Sequence, residues 1–371
     1  MLTLAPVADV LLTRSWAVTD LGGLAAEHVI AAVADEQTHL LLPVGPRRAV
    51  LCELDAHCTI AATMTLPSSH VWGDRAGSEA DEAVVDGVPV LPVAVSVDRG
   101  CVVLSASPLP DARTSSFLDG APAEDVLLWS WERGTVEAMF TGEALAGELW
   151  AAAFEPADAT LWLVSAVSRD DVSTLSLHRH GQAGSLDLVS ARHGADFERD
   201  GWGFVRLTPC GGAVVVSIGT CGAATEHLHV IVEARGEALV EQARRTGAGT
   251  RLLGRGPVET LRLHTPAGIV AFSGAAAAIE LPAWPSRIEA HGGSLIALGR
   301  EHAAVHTPDG WRPVDIAALT ELLAAWDETR DEEVLAPWDD PRVVRTADGD
   351  ALLVTGVTEN GLVAAMFGVT E

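Results

Sequence analysis

LWAAAFEPADATLWLVSAVSRDDVSTLSLHRHGQAGSLDLVS, residues Leu149–Ser190, divides into four short apolar runs separated by turn residues. In the second run Leu161, Leu163 and Ser165 alternate with Trp162, Val164 and Ala166. In the third, Leu175 and Leu177 alternate with Thr174, Ser176 and His178, and in the fourth Leu186 and Leu188 flank Asp187. A period of two sends successive side chains to opposite faces, as a strand does. Pro156-Ala157-Asp158, Arg169-Asp170-Asp171 and Gly181-Gln182-Ala183-Gly184 interrupt the runs with turn-forming residues. The stretch predicts four strands joined by hairpin-length connections within roughly 42 residues. One such sheet cannot cover both of its faces and needs neighbours of its own kind.

Working outward, similar units recur. His28–Leu66 gives HVIAAVAD, THLLLPVG, RAVLCELD and CTIAATMTL. Val90–Thr141 gives LPVAVSVD, CVVLSAS, VLLWSWER and TVEAMFT, with a long Pro- and Ser-rich connection over Pro108–Asp125. Gly201–Gln242 gives GWGFVRLTP, AVVVSIG, LHVIVEA and EALVEQ, and Arg287–Ala317 gives RIEA, SLIALG, AAVHTP and WRPVDI. The interval 243–286 is irregular, with TLRLHTP and IVAFSG clear and RLLGRG and AIELP poorer. A turn recurs as Thr-Pro-Cys-Gly at Thr208, Thr-Pro-Ala-Gly at Thr265, Thr-Pro-Asp-Gly at Thr307 and Thr-Ala-Asp-Gly at Thr346. Proline presets the turn and glycine takes its left-handed position, although the four copies need not fall at equivalent places. Ile316–Asp327 (IAALTELLAAWD) predicts a short helical insertion, with Leu319, Leu322, Leu323 and Trp326 on one face. The C-terminus supplies PRVVRTADG, DALLVTG and LVAAMFG and stops one strand short, so the N-terminal apolar run Ala8–Trp16 is expected to complete that unit.

These repeats resemble the β-propeller superfamily over essentially the whole chain, at the level of fold. The resemblance implies an all-β fold: a seven-bladed β-propeller of four-stranded antiparallel blades, the N-terminal strand closing the last blade, in a single domain spanning 1–371. Seven units of roughly 53 residues use the whole chain. Six blades is the alternative if 243–286 is a decorated connection. No Gly-His pair leads a blade, Trp326-Asp327 and Trp338-Asp339 lie in or beside the helical insertion, and kelch-type double glycines are not systematic. With the WD40 and kelch signatures absent, no family's functional residues carry over.

Composition narrows the chemistry. The net charge of −27 repels phosphate backbones and argues against a nucleic-acid partner. All 24 basic residues are arginines, tyrosine is absent and Asn360 is the one asparagine, a bias expected of a GC-rich bacterial genome. The bias removes a Schiff-base lysine, a Walker lysine and a tyrosine acid or base. No G-x-G-x-x-G joins a strand to a helix, so no nucleotide cofactor is expected, and no G-x-S-x-G elbow supports a hydrolase of that kind. Cys52, Cys58, Cys101, Cys210 and Cys221 are scattered and read as reduced thiols packed as small hydrophobes. No apolar run reaches about 18 residues, and Asp9 and Arg14 interrupt the N-terminal segment, so a cytoplasmic chain with no membrane partner is expected.

In propellers generally, ligands meet the loops from second to third strand and from one blade to the next. Here those loops collect histidine, carboxylate and arginine: His70 with Asp74 and Arg75, His193 with Asp196, Glu198 and Arg199, Glu226 with His227, and Arg300 with Glu301 and His302. His70, His193, His227, His302, Asp196 and Glu198 are the candidate acid–base groups, and the same residue types are compatible with a divalent metal. Arg113, Arg169 or Arg199 could fix an anionic group, with Asp74 and Arg300 as further ligand contacts. Trp72, Trp202, Trp326 and Trp338 could form an aromatic wall. His178-Arg179-His180 and His227-Leu228-His229 place paired rings on one side of a strand. The leading expectation is a propeller that holds a protein or peptide partner. The alternative is a small-molecule enzyme of bacterial specialised metabolism (lyase, cyclase or hydrolase), and fold cannot choose between the two.

Overall fold

The computed structural model describes residues 2–8, 33–34, 39–43, 46–53, 60–72, 87–106, 125–140, 148–155, 158, 160–169, 172–182, 184–192, 202–220, 226–254, 258–272, 279–282, 287–291, 294–298, 302–317, 319–321, 324, 339–346, 349–358 and 361–370. The fold is all-β apart from helical turns. After β1 (Leu2–Ala8), the first sheet runs β2 (Val33–Ala34), β3 (His39–Pro43), β4 (Arg48–Glu53), β5 (Ile60–Thr65). The second contains β6 (His70–Trp72), β7 (Val88–Ser96), β8 (Cys101–Ala106), β9 (Asp125–Ser130) and β10 (Thr135–Phe140), with β6 parallel to β7 and the rest antiparallel. The third is the stretch that opened the sequence reading: β11 (Glu148–Phe154), β12 (Leu161–Arg169), β13 (Val172–Arg179), β14 (Ser185–Arg192). The fourth is β15 (Trp202–Pro209), β16 (Ala213–Thr220), β17 (Glu226–Arg235), β18 (Ala238–Ala248).

The irregular interval forms a three-stranded sheet, β19 (Arg251–Leu253), β20 (Arg262–Thr265), β21 (Gly268–Ala271). Its weak fourth run contributes one bridge, Ile269 to Ile279. The remaining strands are β22 (Arg287–His291), β23 (Ser294–Leu298), β24 (Ala303–Thr307), β25 (Gly310–Asp315), β26 (Asp339–Thr346), β27 (Gly349–Thr358) and β28 (Gly361–Thr370). They join β1 in one eight-stranded sheet, ordered β22-β23-β24-β25-β1-β28-β27-β26.

The chain divides into two compact units, one comprising 65–252 and 256–259, the other 1–64, 253–255 and 260–371. In the first, β11 lies against β7 on one side and β15 on the other. The alternation in β12 explains the stacking. Leu161 and Leu163 pack with Cys101, Val103, Val126 and Phe154, while Trp162 and Val164 pack with Val214, Val216, Val230 and Val232. All four β12 residues are at most 1 % exposed, so both faces of the third sheet are covered by its neighbours. Each such side chain contributes about 1.5–3 kcal/mol by burial, which is why a sheet apolar on both faces does not stand alone.

In the second unit, β1 pairs antiparallel with β28 over Thr3–Thr370 to Ala8–Met366, so the N-terminus does supply the fourth strand beside β26–β28. The strand is Leu2–Ala8, however, and not the expected Ala8–Trp16, of which 9–16 lies outside the described residues. Pro6 disguises this strand in sequence, because proline lacks a ladder donor. The structure accommodates it beside a bulge between Pro6 and Ala8, beyond the two residues, Leu2 and Thr3, that pair parallel with β25. That second pairing, which fuses two sheets, was not expected.

The recurring turn is a hairpin closure. Thr265 pairs with Gly268, Thr307 with Gly310 and Thr346 with Gly349, each at a different position within its sheet. Thr265 and Thr307 each donate from Oγ1 to the glycine carbonyl at 2.9 Å. Gly310, at φ 106°, occupies the conformation that only glycine adopts readily. Among the described residues no helix is long and apolar enough to cross a membrane.

Candidate functional site

The second unit contains a cavity of about 670 Å³. It opens where His302 precedes β24, the third strand of its group, and where the chain leaves β25 for the helical insertion. These are two of the connections that the sequence assigned to the ligand-bearing end. Ala303 pairs across the strands with Val314. Asp315 ends β25 and accepts the backbone N–H of Ala317 on Oδ1 at 3.0 Å, the N-cap of the insertion. Thr320 N–H then donates to the Ile316 carbonyl at 2.9 Å, an α-helical bond, and Ala317, Leu319, Thr320, Glu321 and Ala324 are helical. Leu319 is buried and fixes the apolar side of the helix. Ala303, Val314 and Ile316 form the buried part of the cavity wall, while His302, Glu321 and Thr320 are exposed around it. The described lining thus carries two carboxylates, one imidazole and one hydroxyl over an apolar base, and no arginine.

His227 is the second residue of β17, also a third strand, but its chemistry is committed. Nδ1 donates to the Thr250 carbonyl, and the ring stands edge-on to His229 with centroids 6.3 Å apart. His229 is 1 % exposed. Thr250 Oγ1 donates to the Gly247 carbonyl at 3.0 Å, so it accepts from His229 Nε2 at 3.2 Å. His229 Nδ1 therefore carries the lone pair that receives the Ser217 hydroxyl at 2.8 Å. Burial, reinforced by His227, pushes the His229 imidazole down to about 4. Burial, with Arg251 adding to it, also lowers His227. The third sheet has a parallel arrangement: Ser165 Oγ and His178 Nε2 are 2.8 Å apart, and Ser176 donates to Asp187 Oδ1 at 2.7 Å. This is a serine–histidine–aspartate set by residue type, yet Ser165 is 0 % exposed and no substrate reaches it. Both histidines lock adjacent strands together. Neither lock was read from the sequence, because each depends on hairpin register, which sets Ser217 opposite His229 and Ser165 diagonal to His178.

Of the other candidates, His70 opens β6, half-buried, with Nδ1 2.9 Å from the Ser69 hydroxyl, and burial lowers its pKa. Trp72, expected in an aromatic wall, is a strand residue 5 % exposed, packed edge-on against Trp129 at 5.6 Å. Gly87 permits β6 to approach, since a Cβ there would stand 2.9 Å from Val71 Cγ1. Arg169 ends β12 and Trp202 opens β15, and their side chains lie outside what is described. Asp74, Arg113, His193, Asp196, Glu198, Arg199, Arg300, Trp326 and Trp338 also lie outside the described residues. Among the described residues no three of His, Cys, Asp and Glu converge as a metal site. Cys101 and Cys210 are buried free thiols, and burial raises Cys101 to about 11.

No protein-family model matches the chain, and no curated protein matches its sequence. Solved structures similar to it include the β-propeller domain of the Trilobed protease from Pyrococcus furiosus, at 6% identity and TM-score 0.43, covering 93% of this chain and 95% of that one. The AfRom2 CNH domain is 8% identical with a TM-score of 0.43, covering 94% and 97%. Polysaccharide lyase Uly1 is 10% identical with a TM-score of 0.43, covering 94% and 91%. The likeness is to β-propeller folds, and at these values nothing about ligand or chemistry passes from those proteins to this chain.

Proposed function

We propose that residues 1–371 form one seven-bladed β-propeller that holds a protein or peptide partner at the end of its blades bearing the long connections. The observation that carries this is the cavity between β24, β25 and the helix, an apolar recess with a polar rim at that end. The serine–histidine pairs, the described groups that most resemble a nucleophile with its base, are consumed inside the sheets, with Ser165 and Ser217 at most 3 % exposed. One observation favours the enzymatic alternative. A volume of about 670 Å³ suits a small molecule, and His302 with Asp315 or Glu321 could supply an acid and a base.

The test is fluorescence anisotropy with labelled peptides of varied charge and aromatic content, set beside native mass spectrometry of the purified protein. Partner binding predicts saturable association of a subset of peptides that is lost in Ala317→Trp, which fills the cavity from an exposed helix position. A retained small molecule that the protein converts chemically, with no peptide bound, establishes the enzyme instead.

A further inference from the structure

Resting on the partner-binding reading, we infer that the cavity between β24, β25 and the helix receives an arginine side chain from an extended segment of the partner. The apolar wall and the charge both select this occupant. Ala303, Val314 and Ile316 are each at most 7 % exposed and supply the apolar wall against which an alkyl stem can lie. The rim above it carries Asp315 and Glu321, with the Thr320 hydroxyl and the His302 imidazole beside them and no arginine in the described lining.

The helix N-terminus works against a cation, since it presents about half a positive charge. Asp315 answers that locally, because its Oδ1 already accepts the Ala317 N–H. Glu321 then remains as a full negative charge not used in capping. Thr320 Oγ1 donates to the Ile316 carbonyl at 3.1 Å, so its oxygen is presented to a ligand as an acceptor. A guanidinium offers five donors and no acceptor, and it sheds water more readily than an ammonium, which suits a recess lined by acceptors. At longer range, the net charge of −27 speeds the encounter with a basic segment.

The experiment measures anisotropy of four otherwise identical labelled peptides bearing a central Arg, Lys, Gln or Glu, against the intact chain and three variants. Glu321→Gln should weaken the Arg peptide about fivefold and Glu321→Arg at least about tenfold. Glu259→Arg, the same charge change at an exposed position outside the lining, should stay within about twofold. Circular dichroism confirms that the variants are folded. Equal affinity for all four peptides, or tighter Arg-peptide binding in Glu321→Arg, overturns the arginine inference. If that binding is still lost in Ala317→Trp, partner binding itself stands. Free arginine or spermidine binding as tightly as the Arg peptide overturns the commitment to a partner segment. If no peptide of any charge binds, both readings fall together.

Discussion

His229, the fourth residue of β17, and His302, the residue before β24, both belong to the N-terminal end of a third strand, yet one is sealed and the other borders open space. The difference lies in what the next strand does on leaving the sheet. After β18 the chain turns at Gly249, and Thr250 folds back over the β17 histidines, its carbonyl taken by His227 and its hydroxyl by His229. After β25 the chain instead enters a helix capped by Asp315, whose first turns form a wall beside His302 and leave it exposed. The same end of a third strand thus carries a lock in one sheet and a recess in another. Residue type alone does not assign function to a histidine; the exit path of the fourth strand decides what covers it.

The strongest way to break the comparison is to remove what holds the sealed region together. Trp162 is 0 % exposed in the cluster between the third and fourth sheets, with the Arg179 guanidinium 5.3 Å from its ring centroid. Trp162→Ala should cost about 3–5 kcal/mol in urea unfolding. A loss below about 1 kcal/mol would mean that the two sheets do not depend on that face.

The acid response comes next. The His229 pKa is about 4 in the fold against 6.5 in the unfolded chain, so the unfolded state binds the proton first as pH falls. Its contribution is fully present above about pH 6.5 and is lost progressively towards pH 4, roughly 3 kcal/mol in all. Protonation also places a hydrogen on Nδ1 where the Ser217 hydroxyl donates, which opposes the lock directly. His70, His178 and His227 shift in the same direction, so the decisive quantity is the difference between the wild type and His229→Gln. The variant should show a visibly flatter fall of the urea midpoint between pH 6.5 and pH 4. Matching slopes would show that His229 is not the buried neutral group described.

These two residues also show what sequence could and could not say. Trp162 was legible, because period-two alternation with apolar residues in both sets requires cover on both faces. The four-run units likewise mark β2–β5, β7–β18 and β22–β25, and the three C-terminal runs mark β26–β28, since each depends on local pattern and turn chemistry. The fate of His229 was not legible, because Thr250 is 21 residues away and reaches it only after a hairpin and a turn. Trp72 was misleading for a related reason: β6 is three residues long, too short for periodicity to distinguish a strand from a connection. The closing strand was displaced by a proline that a bulge tolerates. The loop candidates around His193 stay a sequence reading only.

On the open side, the expected effects are smaller. Asp315→Ala removes the hydrogen bond to Ala317 N–H and should cost about 1 kcal/mol, as loss of an N-cap does. Because the helix forms one wall of the cavity, peptide affinity should fall along with the urea midpoint. If the midpoint falls and affinity does not, the helix wall is dispensable for binding.

The smallest expected effect separates the two regions most sharply. Glu321 is exposed on the helix and lines the cavity, and among the described residues no hydrogen bond that shapes the cavity depends on its carboxylate. Glu321→Gln keeps the side-chain length and removes only the charge, so unfolding free energy should stay within about 0.5 kcal/mol of wild type. The contrast with His229 is then one of purpose: a polar group inside the sheets is held by stability, and this one is not. A loss of more than about 1 kcal/mol would place Glu321 among the groups that hold the helix. The cavity rim would then be part of the scaffold, and its negative charge would have a structural explanation that needs no ligand.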